Sequence, residues 1–252
     1  MNNVLSLPIN DIGTDYVVGD IHGMFDLLDT ELIAIGFDKT RDRLFCTGDL
    51  VDRGTSSERV QQYLSEPWFF SCMGNHDAQY AFYGTNIPVP YESFICTPVD
   101  VWYTNITNSE RTAIFNALLD ALYPAIEVQT SVGLVGIVHG GIPFGRTWKS
   151  LVHDLNSPCY NTLLSCIWDR ESAQYALQSE GVKQQNFIVP DVHHVFHGHT
   201  PDVYGGCMPY ALGNRYFIDT GAFLTQYPEK YPTAKLTIVP ITWSGVSQIK
   251  SA

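Results

Sequence analysis

The sequence has little of what marks membrane proteins and nucleic-acid-binding proteins. No apolar run approaches the ~20 residues that a membrane-spanning helix needs. The N-terminal residues up to Tyr16 have neither the basic start nor the long apolar stretch of a secretory signal. Positive charge is scarce, with Lys+Arg 14 against Asp+Glu 26 and a formal net charge of −12. Because nucleic-acid binders need a basic surface, we expect no nucleic-acid partner and no membrane partner.

The cysteines also lack the spacing of a metal or redox site. The chain has 6 of them, and no two form a C-x-x-C pair, so neither a zinc ribbon nor a thioredoxin-type site is indicated. We expect reduced thiols that pack as small core residues in a cytoplasmic protein. Cys46 and Cys72, which lie inside strand-like runs, fit that expectation.

Apolar material for one large core is present. The chain has 252 residues, of which 45% are hydrophobic, and this composition is typical of a globular protein rather than a disordered one. No repeat or low-complexity tract divides the chain, so we predict a single domain over residues 1–252. Residues 80–108 contain prolines and aromatics with little periodicity, and they are predicted to form a long irregular segment.

Strand and helix signals alternate in the first third of the chain. Apolar runs at 16–18, 44–46 and 68–73 each end in a small polar pair, and helical spacing separates them. This alternation predicts βαβ units in a largely parallel sheet. In such sheets, ligands bind just beyond the carboxyl ends of the strands. Three later runs suggest a second sheet: 195–196, 216–218 and 236–241.

Five short motifs carry the chemistry. Gly-Asp-x-His-Gly starts at Gly19, Gly-Asp-x-x-Asp-Arg-Gly at Gly48 and Gly-Asn-His-Asp at Gly74. A His-Gly-Gly run at His139 and a Gly-His-Thr-Pro run at Gly198 follow. The seven-residue motif alone is expected by chance on the order of 10⁻⁴ times in such a chain. Together, and placed at strand ends, the motifs indicate one site.

Carboxylate, imidazole and amide oxygen at these positions predict a two-metal site. Asp20 and His22 can face the same side of an extended segment. Asp49 can bridge two cations about 3.5–4 Å apart, as in two-metal phosphoesterases. Asn75, His139 and His199 would complete the second ion. Two such cations neutralise a phosphoryl group and lower the pKa of an attacking water.

A phosphate ester also needs a proton donor and an anion clamp. His76 directly follows a predicted ligand and would protonate the leaving group, with Asp52 as the carboxylate that orients it. Arg53 and Arg170 are candidates to bind the non-bridging oxygens through forked guanidinium contacts.

The order of the motifs resembles the serine/threonine phosphoprotein phosphatase family of calcineurin-like metallophosphoesterases, especially its small bacterial and bacteriophage (lambda-type) members. Runs beginning at Pro67, Ile167 and Asp219 resemble that subgroup as well. The resemblance implies an α/β fold in which two mixed β-sheets form a sandwich flanked by helices. It also implies hydrolysis of phosphoserine and phosphothreonine in proteins, and a pair of divalent ions, Mn²⁺ first and Fe or Zn as alternatives.

Carried over motif by motif, the resemblance implies a role for each candidate residue. The first metal would bind Asp20, His22 and Asp49, and the second would bind Asp49, Asn75, His139 and His199. His76 and Asp52 would form the acid dyad, and Arg53 and Arg170 the phosphate clamp.

Two departures from the family pattern leave the substrate open. Met73 stands where the family usually has an arginine that binds phosphate. If no other residue replaces that arginine, the binding of a phosphomonoester should be weaker by about 1.5–3 kcal/mol. Asp77 stands where glutamate is commoner. Both features resemble the symmetrical diadenosine tetraphosphate hydrolases, a sister group, whereas the intact Asp52 and Arg53 favour a protein phosphatase. A non-catalytic phosphoprotein-binding module is less favoured, because no ligand or acid is missing.

Several other residues are expected to be structural. His197 is predicted to be packed or to lie beside the site, whereas His153, His193 and His194 are expected on the surface or in loops. Residues 227–231 are interpreted as a flap or a longer hairpin. Aromatic side chains of the middle segment are expected to pack rather than to line a groove: Tyr83, Phe94, Trp102 and Tyr103.

Overall fold

The computed structural model describes residues 3–83, 85, 101–157, 159–178 and 187–243. Within that part of the chain, the strands form two mixed sheets. The strands are β1 (Leu5–Leu7), β2 (Asp15–Val18), β3 (Arg43–Cys46), β4 (Phe69–Cys72), β5 (Leu122–Tyr123), β6 (Ile126–Thr130), β7 (Gly133–Val138), β8 (His194–His197), β9 (Tyr210–Leu212), β10 (Arg215–Phe217) and β11 (Ile238–Pro240).

The first sheet has the order β11-β2-β3-β4-β5. Strands β2, β3, β4 and β5 are parallel, as the alternation of strand and helix signals predicts, and β11 joins the edge in antiparallel orientation. The register places Val18 opposite Cys46, and Cys46 opposite Ser71. The three loops that leave β2, β3 and β4 therefore start side by side.

The second sheet has the order β1-β6-β7-β8-β10-β9. Strands β7, β8 and β10 run parallel, while β6 and β9 are antiparallel to their neighbours β7 and β10. The two sheets pack face to face over a shared apolar cluster to which Phe45 of β3 and Phe196 of β8 both belong. Both side chains are fully buried, and removing either would cost about 3–5 kcal/mol. The predicted sandwich is confirmed.

Helices cover the outer faces of the sandwich and bury a second, larger apolar cluster. Helix α5 begins at a capping box, in which Thr107 and Glu110 satisfy each other's backbone N–H groups. The helices are α1 (Phe25–Ala34), α2 (Val60–Leu64), α3 (Asn75–Ala81), α4 (Val101–Asn105), α5 (Asn108–Ala121), α6 (Trp148–Leu155), α7 (Tyr160–Trp168) and α8 (Glu171–Gln178). Short 3-10 helices span Ser57–Arg59 and Ala222–Gln226.

The prediction of an irregular segment over residues 80–108 is wrong at both ends of that range. Helix α3 extends through Ala81, α4 covers Val101–Asn105 and α5 begins at Asn108. The aromatic side chains of this region pack in helices, which the weak periodicity of a short helix did not reveal. Most of the interior, residues 86–100 with Phe94 among them, lies outside the described residues.

Two smaller expectations also need correction. His194 is not a surface residue: it is 1% exposed in β8, where its Nε2 donates to the carbonyl of Ile241 at 2.9 Å. That hydrogen bond offsets the free-energy cost of burying the polar imidazole. Residues 227–231 do not form the longer hairpin that was one of two alternatives: they lie in turns after the 3-10 helix, and the other alternative, a flap, stays a prediction. No single-sequence signal distinguished these outcomes.

Among the described cysteines, all are buried as core residues except Cys159, which is half-buried. Cys46, Cys72 and Cys166 are buried, and burial raises the pKa of each thiol. The cytoplasmic location that their spacing suggests stays a prediction. Among the described residues, no helix has both the length and the apolar content to cross a bilayer.

Candidate metal centre

All six predicted metal ligands come together where strands of both sheets end. Asp20 and His22 follow β2, Asp49 follows β3, and Asn75 is the first residue of α3 after β4. From the other sheet, the last residue of β7 is followed directly by His139, and β8 is followed two residues later by His199. The placement agrees with the rule that parallel strands present ligands at their carboxyl ends.

Asp49 occupies the centre of this arrangement. Its Oδ1 lies 3.4 Å from His139 Nε2, and its Oδ2 lies 3.4 Å from His22 Nε2. Each carboxylate oxygen therefore faces a different imidazole. Two groups of candidate ligand atoms result, each within 4.8 Å: Asp49 with His139 and His199, and Asp49 with His22 and His76. This is the geometry expected of a bridging carboxylate.

The hydrogen bonds around His139 and His199 leave lone pairs facing one another. His139 Nδ1 lies 3.1 Å from the carbonyl of Thr47, and His199 Nε2 lies 3.1 Å from the carbonyl of Trp168. A carbonyl only accepts, so both of these nitrogens carry the proton. The other nitrogens, His139 Nε2 and His199 Nδ1, are 3.1 Å apart. Asn75 Oδ1 also lies 3.2 Å from His139 Nε2.

His22 has the same arrangement. Its Nδ1 donates to the carbonyl of Val51 at 3.1 Å, which leaves a lone pair on Nε2 toward Asp49. Burial lowers the pKa of His22 well below its ordinary value and that of His139 to about 4. The imidazoles are therefore neutral near pH 7, the state in which histidine binds a metal.

Buried carboxylates complete the centre. Asp20 accepts hydrogen bonds from the Thr47 hydroxyl and from the backbone N–H of His199, both at 2.8 Å. Burial, together with the neighbouring carboxylates of Asp219 and Asp49, raises the pKa of Asp20 well above its ordinary value. Burial likewise raises the pKa of Asp219 to about 6. Bound cations would favour the ionised forms of these groups.

The donor set fits two divalent cations. Lone pairs that converge without a proton repel one another unless a cation lies between them, and imidazole, carboxylate and amide oxygens suit manganese, iron and zinc. One detail differs from the predicted ligand sets. Within 4.8 Å, His76 rather than Asp20 completes the group around His22 and Asp49. The Asp20 oxygens accept hydrogen bonds from the Thr47 hydroxyl and from the backbone N–H of His199, and each keeps a lone pair that a cation could use.

The two residues of the predicted acid dyad are hydrogen-bonded to each other. His76 Nδ1 donates to Asp52 Oδ2 at 2.8 Å. Asp52 is 1% exposed, whereas the imidazole of His76 keeps 14% of its surface accessible. The backbone N–H of His76 donates to Asp49 Oδ1 at 2.9 Å. The imidazole is thus held by one carboxylate beside the carboxylate that would bridge the metals.

Both arginines of the predicted clamp lie at the centre. Arg53 donates from its two terminal nitrogens to His22 Nε2 at 3.1 Å and His76 Nε2 at 2.9 Å. Its guanidinium lies 4.5 Å from the ring centroid of Phe223. Arg170 donates to the carbonyl of His199 and to the Thr200 hydroxyl. Two positive charges on opposite loops are therefore available to an anionic substrate.

Five site residues adopt left-handed backbone conformations without being glycine. Such conformations cost about 1–3 kcal/mol each, and they persist only where several contacts with the surrounding structure hold the residue in place. Here hydrogen bonds between loops do so: the N–H of His22 donates to the carbonyl of Asp49 at 2.7 Å. The residues and their φ angles are His22 46°, Asp49 51°, Asp52 73°, Arg53 67° and His199 72°.

Two motif glycines are required by close approach. A Cβ at Gly74 would lie 2.1 Å from Asp49 Oδ1, and a Cβ at Gly198 would lie 1.9 Å from Asp20 Oδ1. Any larger residue would displace a predicted metal ligand. The backbone at these two positions therefore passes directly beside the predicted ligands.

The two departures from the family pattern have different surroundings. Met73 is 1% exposed and belongs to the large apolar cluster, so its side chain does not lie on the site surface. Asp77 is fully buried and accepts from the backbone N–H of Leu50 at 2.8 Å and of Gly74 at 3.0 Å. Asp77 therefore ties the second motif to the third.

The sequence analysis missed three side chains that contact the centre. Tyr80 and Trp102 donate to Asp52 Oδ1 at 2.7 and 2.9 Å. The ring of Phe223 packs 5.2 Å from that of His22. Trp102 and Tyr103 do pack, as expected, whereas Tyr83 is 69% exposed. None of the three belongs to a motif with metal-ligand spacing, so no sequence signal marked them.

Comparison with known proteins gives two kinds of relatives. A family model described as calcineurin-like phosphoesterase matches residues 16–203, well over half of the chain. Serine/threonine-protein phosphatase 2 of Salmonella typhimurium is 28% identical over 223 residues, which cover 84% of this chain and 92% of that protein.

The second kind acts on dinucleotides by name. The symmetrical bis(5'-nucleosyl)-tetraphosphatase of Coxiella burnetii is 29% identical over 185 residues, which cover 69% of this chain and 60% of that protein. Among solved structures, a candidate diadenosine tetraphosphatase matches with a TM-score of 0.57 at 21% identity, covering 97% of this chain and 100% of that one. At this identity the structural likeness concerns the fold alone.

Proposed function

Because this chain belongs to the calcineurin-like phosphoesterase family, we propose that it hydrolyses phosphomonoesters, specifically phosphoserine and phosphothreonine in proteins. The observation that carries the proposal is the 2.8 Å hydrogen bond between His76 Nδ1 and Asp52 Oδ2. A serine or threonine alkoxide leaves poorly without a proton, so its release needs a positioned acid. The Salmonella phosphatase, which aligns with 84% of this chain, supports the same substrate class.

Each side chain has a role in this proposal. His76, oriented by Asp52, delivers a proton from Nε2 to the leaving oxygen. Arg53 would move its two N–H donors from His22 and His76 to the non-bridging oxygens of the phosphoryl group. Arg170 would add charge from the opposite loop. The neutral imidazoles and the carboxylates hold two divalent cations, Mn²⁺ in our proposal, which when bound supply positive charge and lower the pKa of water.

A second candidate is hydrolysis of dinucleoside polyphosphates. It is favoured by Met73, which provides no guanidinium, by Asp77, and by the Coxiella relative. Cleavage of a phosphoanhydride releases a nucleotide phosphate, a stable anion that depends less on a proton donor. The dyad of His76 and Asp52 therefore favours the monoester.

The test compares two substrates on one preparation. Enzyme reconstituted with Mn²⁺ is assayed on a phosphoserine peptide and on diadenosine tetraphosphate, and kcat/KM is measured for each. We expect a preference for the peptide. Preference for the dinucleotide would assign the chain to the second candidate, and absence of turnover on both, with metal bound, would leave a binding module. Reconstitution with Fe²⁺ or Zn²⁺ in parallel tests the choice of metal.

A further inference from the structure

The second oxygen of Asp52 has two side-chain partners from different helices. Oδ2 accepts from His76, while Oδ1 accepts from the Tyr80 hydroxyl of α3 at 2.7 Å and from the Trp102 indole N–H of α4 at 2.9 Å. Tyr80 is 8% exposed and Trp102 is 7% exposed. Three side-chain donors thus hold one buried carboxylate, one on Oδ2 and two on Oδ1.

We propose that Tyr80 and Trp102 are positioning residues for the general acid. They fix the rotation of the Asp52 carboxylate, so that Oδ2 holds His76 with its Nε2 toward the leaving oxygen. The proposal rests on the role given to the Asp52–His76 dyad above. It adds two residues from outside the motifs to the chemistry of the site.

Rotation of the carboxylate is the freedom that these donors remove. The terminal torsion of an aspartate is broad and two-fold, so a buried carboxylate held at one oxygen can swing or exchange its oxygens. Two donors on Oδ1, from α3 and from α4, leave one orientation that satisfies all three hydrogen bonds.

The backbone of Asp52 adds to the need for support. Its φ is 73°, and Arg53 beside it has a φ of 67°. Two consecutive left-handed residues without glycine are strained and persist only when their surroundings hold them. The N–H of Asp52 donates to the Ser57 hydroxyl at 2.9 Å. The side-chain contacts to Tyr80 and Trp102 add two further hydrogen bonds that hold this residue.

Aromatic packing holds the two donors in place. The ring of Tyr80 lies 5.3 Å from Trp102 and 5.4 Å from Phe115, and Tyr103 stacks on Phe115 at 6.0 Å. These four side chains join α3, α4 and α5. The short helix α4 is thereby fixed with its indole N–H toward Asp52. Tyr80 and Trp102 contact Asp52 through the packing of these three helices, and neither residue is a predicted metal ligand. A substitution at either position can therefore disturb the orientation of Asp52 without removing a metal ligand.

The experiment uses the dependence of rate on the leaving group. A misplaced acid slows release of a poor leaving group and hardly affects a good one. The full-length protein, loaded with Mn²⁺, is assayed on phenyl phosphate and on p-nitrophenyl phosphate as wild type, Tyr80→Phe, Trp102→Phe and His76→Asn. Tyr103→Phe, which removes a hydroxyl from the same aromatic packing, is the matched control. Metal content and melting temperature are recorded for every variant.

We expect Tyr80→Phe and Trp102→Phe each to lower kcat on phenyl phosphate about tenfold and on p-nitrophenyl phosphate less than about twofold, with KM and metal content unchanged. Tyr103→Phe should retain wild-type rates on both. Equal losses on the two substrates would make both residues structural and overturn the proposal. Tyr80→Phe keeps the ring, so it decides the matter even if Trp102→Phe fails to fold.

Two further comparisons separate this proposal from the proposed function. In an Asp52→Asn background, Tyr80→Phe should add no leaving-group effect, because both changes act through one carboxylate. Full additivity would overturn the positioning role. If His76→Asn itself shows no leaving-group dependence, the acid dyad is misassigned and the proposed function fails with it. If His76→Asn shows the dependence and the two positioning variants do not, only the present proposal fails.

Discussion

His139 Nε2 and His199 Nδ1 lie 3.1 Å apart, and neither nitrogen carries a proton. Two lone pairs at this distance repel in the free protein and attract a shared cation. Metal binding should therefore stabilise the fold. We expect Mn²⁺ at about 100 times its Kd to raise the free energy of unfolding by about 2.7 kcal/mol per site.

The measurement is urea unfolding with Mn²⁺ and after chelation. In His199→Ala the gain from metal should fall by up to half, because one of the two sites loses a nitrogen ligand. His153→Gln, an exposed change on α6, should keep the wild-type gain. An equal gain in His199→Ala would show that His199 does not bind the metal.

Replacement of His76 distinguishes its two geometric roles. His76 donates to Asp52 yet also lies within 4.8 Å of the ligand atoms of His22 and Asp49. As the general acid, it should be replaceable by Asn with a loss of about 10²–10⁴ in kcat on alkyl phosphates. Metal analysis should still find two ions per chain. Loss of one ion instead would assign His76 as a ligand.

Residue 73 tests whether the missing guanidinium matters. Since Met73 is 1% exposed in the apolar cluster, Met73→Arg should lower the free energy of unfolding by about 3 kcal/mol or more, from burial of an unpaired charge. Met73→Leu should cost less than about 1.5 kcal/mol. If Met73→Arg keeps full stability and lowers KM for small phosphoesters, the arginine reaches the phosphate as the family resemblance implies.

His194 should make stability depend on pH. Burial lowers the pKa of His194 from 6.5 to about 4, so the unfolded chain binds its proton at a higher pH than the folded protein does. The stability contributed by the neutral imidazole is present above pH 6.5 and is lost as the pH falls toward 4, by an amount on the order of 3 kcal/mol.

Urea unfolding at pH 7.5 and pH 4.5 checks this. His194→Gln, which keeps a donor toward the Ile241 carbonyl, should lose less stability between the two values than the wild type. His153→Gln should lose as much as the wild type. An unchanged pH dependence in His194→Gln would mean that other groups carry it.

The motifs were sufficient to predict which side chains come together, because each motif lies at a strand end; that these side chains bind metal stays a prediction. Asp49 follows the apolar run of β3 after Thr47 and Gly48, and His139 follows the apolar run of β7 directly. Parallel strands bring such positions together. Trp102 could not be found in this way. Its contact with Asp52 depends on how α3, α4 and α5 pack, and no local pattern encodes an indole N–H 50 residues from its acceptor.

Backbone conformation and side-chain burial were two further features that could not be predicted from the sequence. No sequence pattern marks positive φ at His22 or Asp52, which adopt it because hydrogen bonds from neighbouring loops hold them there. His194 was placed on the surface on account of its polarity, and one carbonyl from β11's end reverses that assignment. The very short strands β1, β5 and β9 carry too few residues for any periodicity to be read.

The origin of the ligands in two different sheets has a mechanical consequence. Asp49 follows a strand of one sheet and His139 follows a strand of the other. A cation bound by both side chains would therefore link the two sheets at the edge where these strands end. Small sliding of one layer over the other, of the size that leaves every strand paired, would separate Asp49 from His139. The turnover rate should therefore depend on the relative position of the two sheets. Substitutions of the core residues Phe45 or Phe196, which are distant from the site, should change the rate only by changing that position.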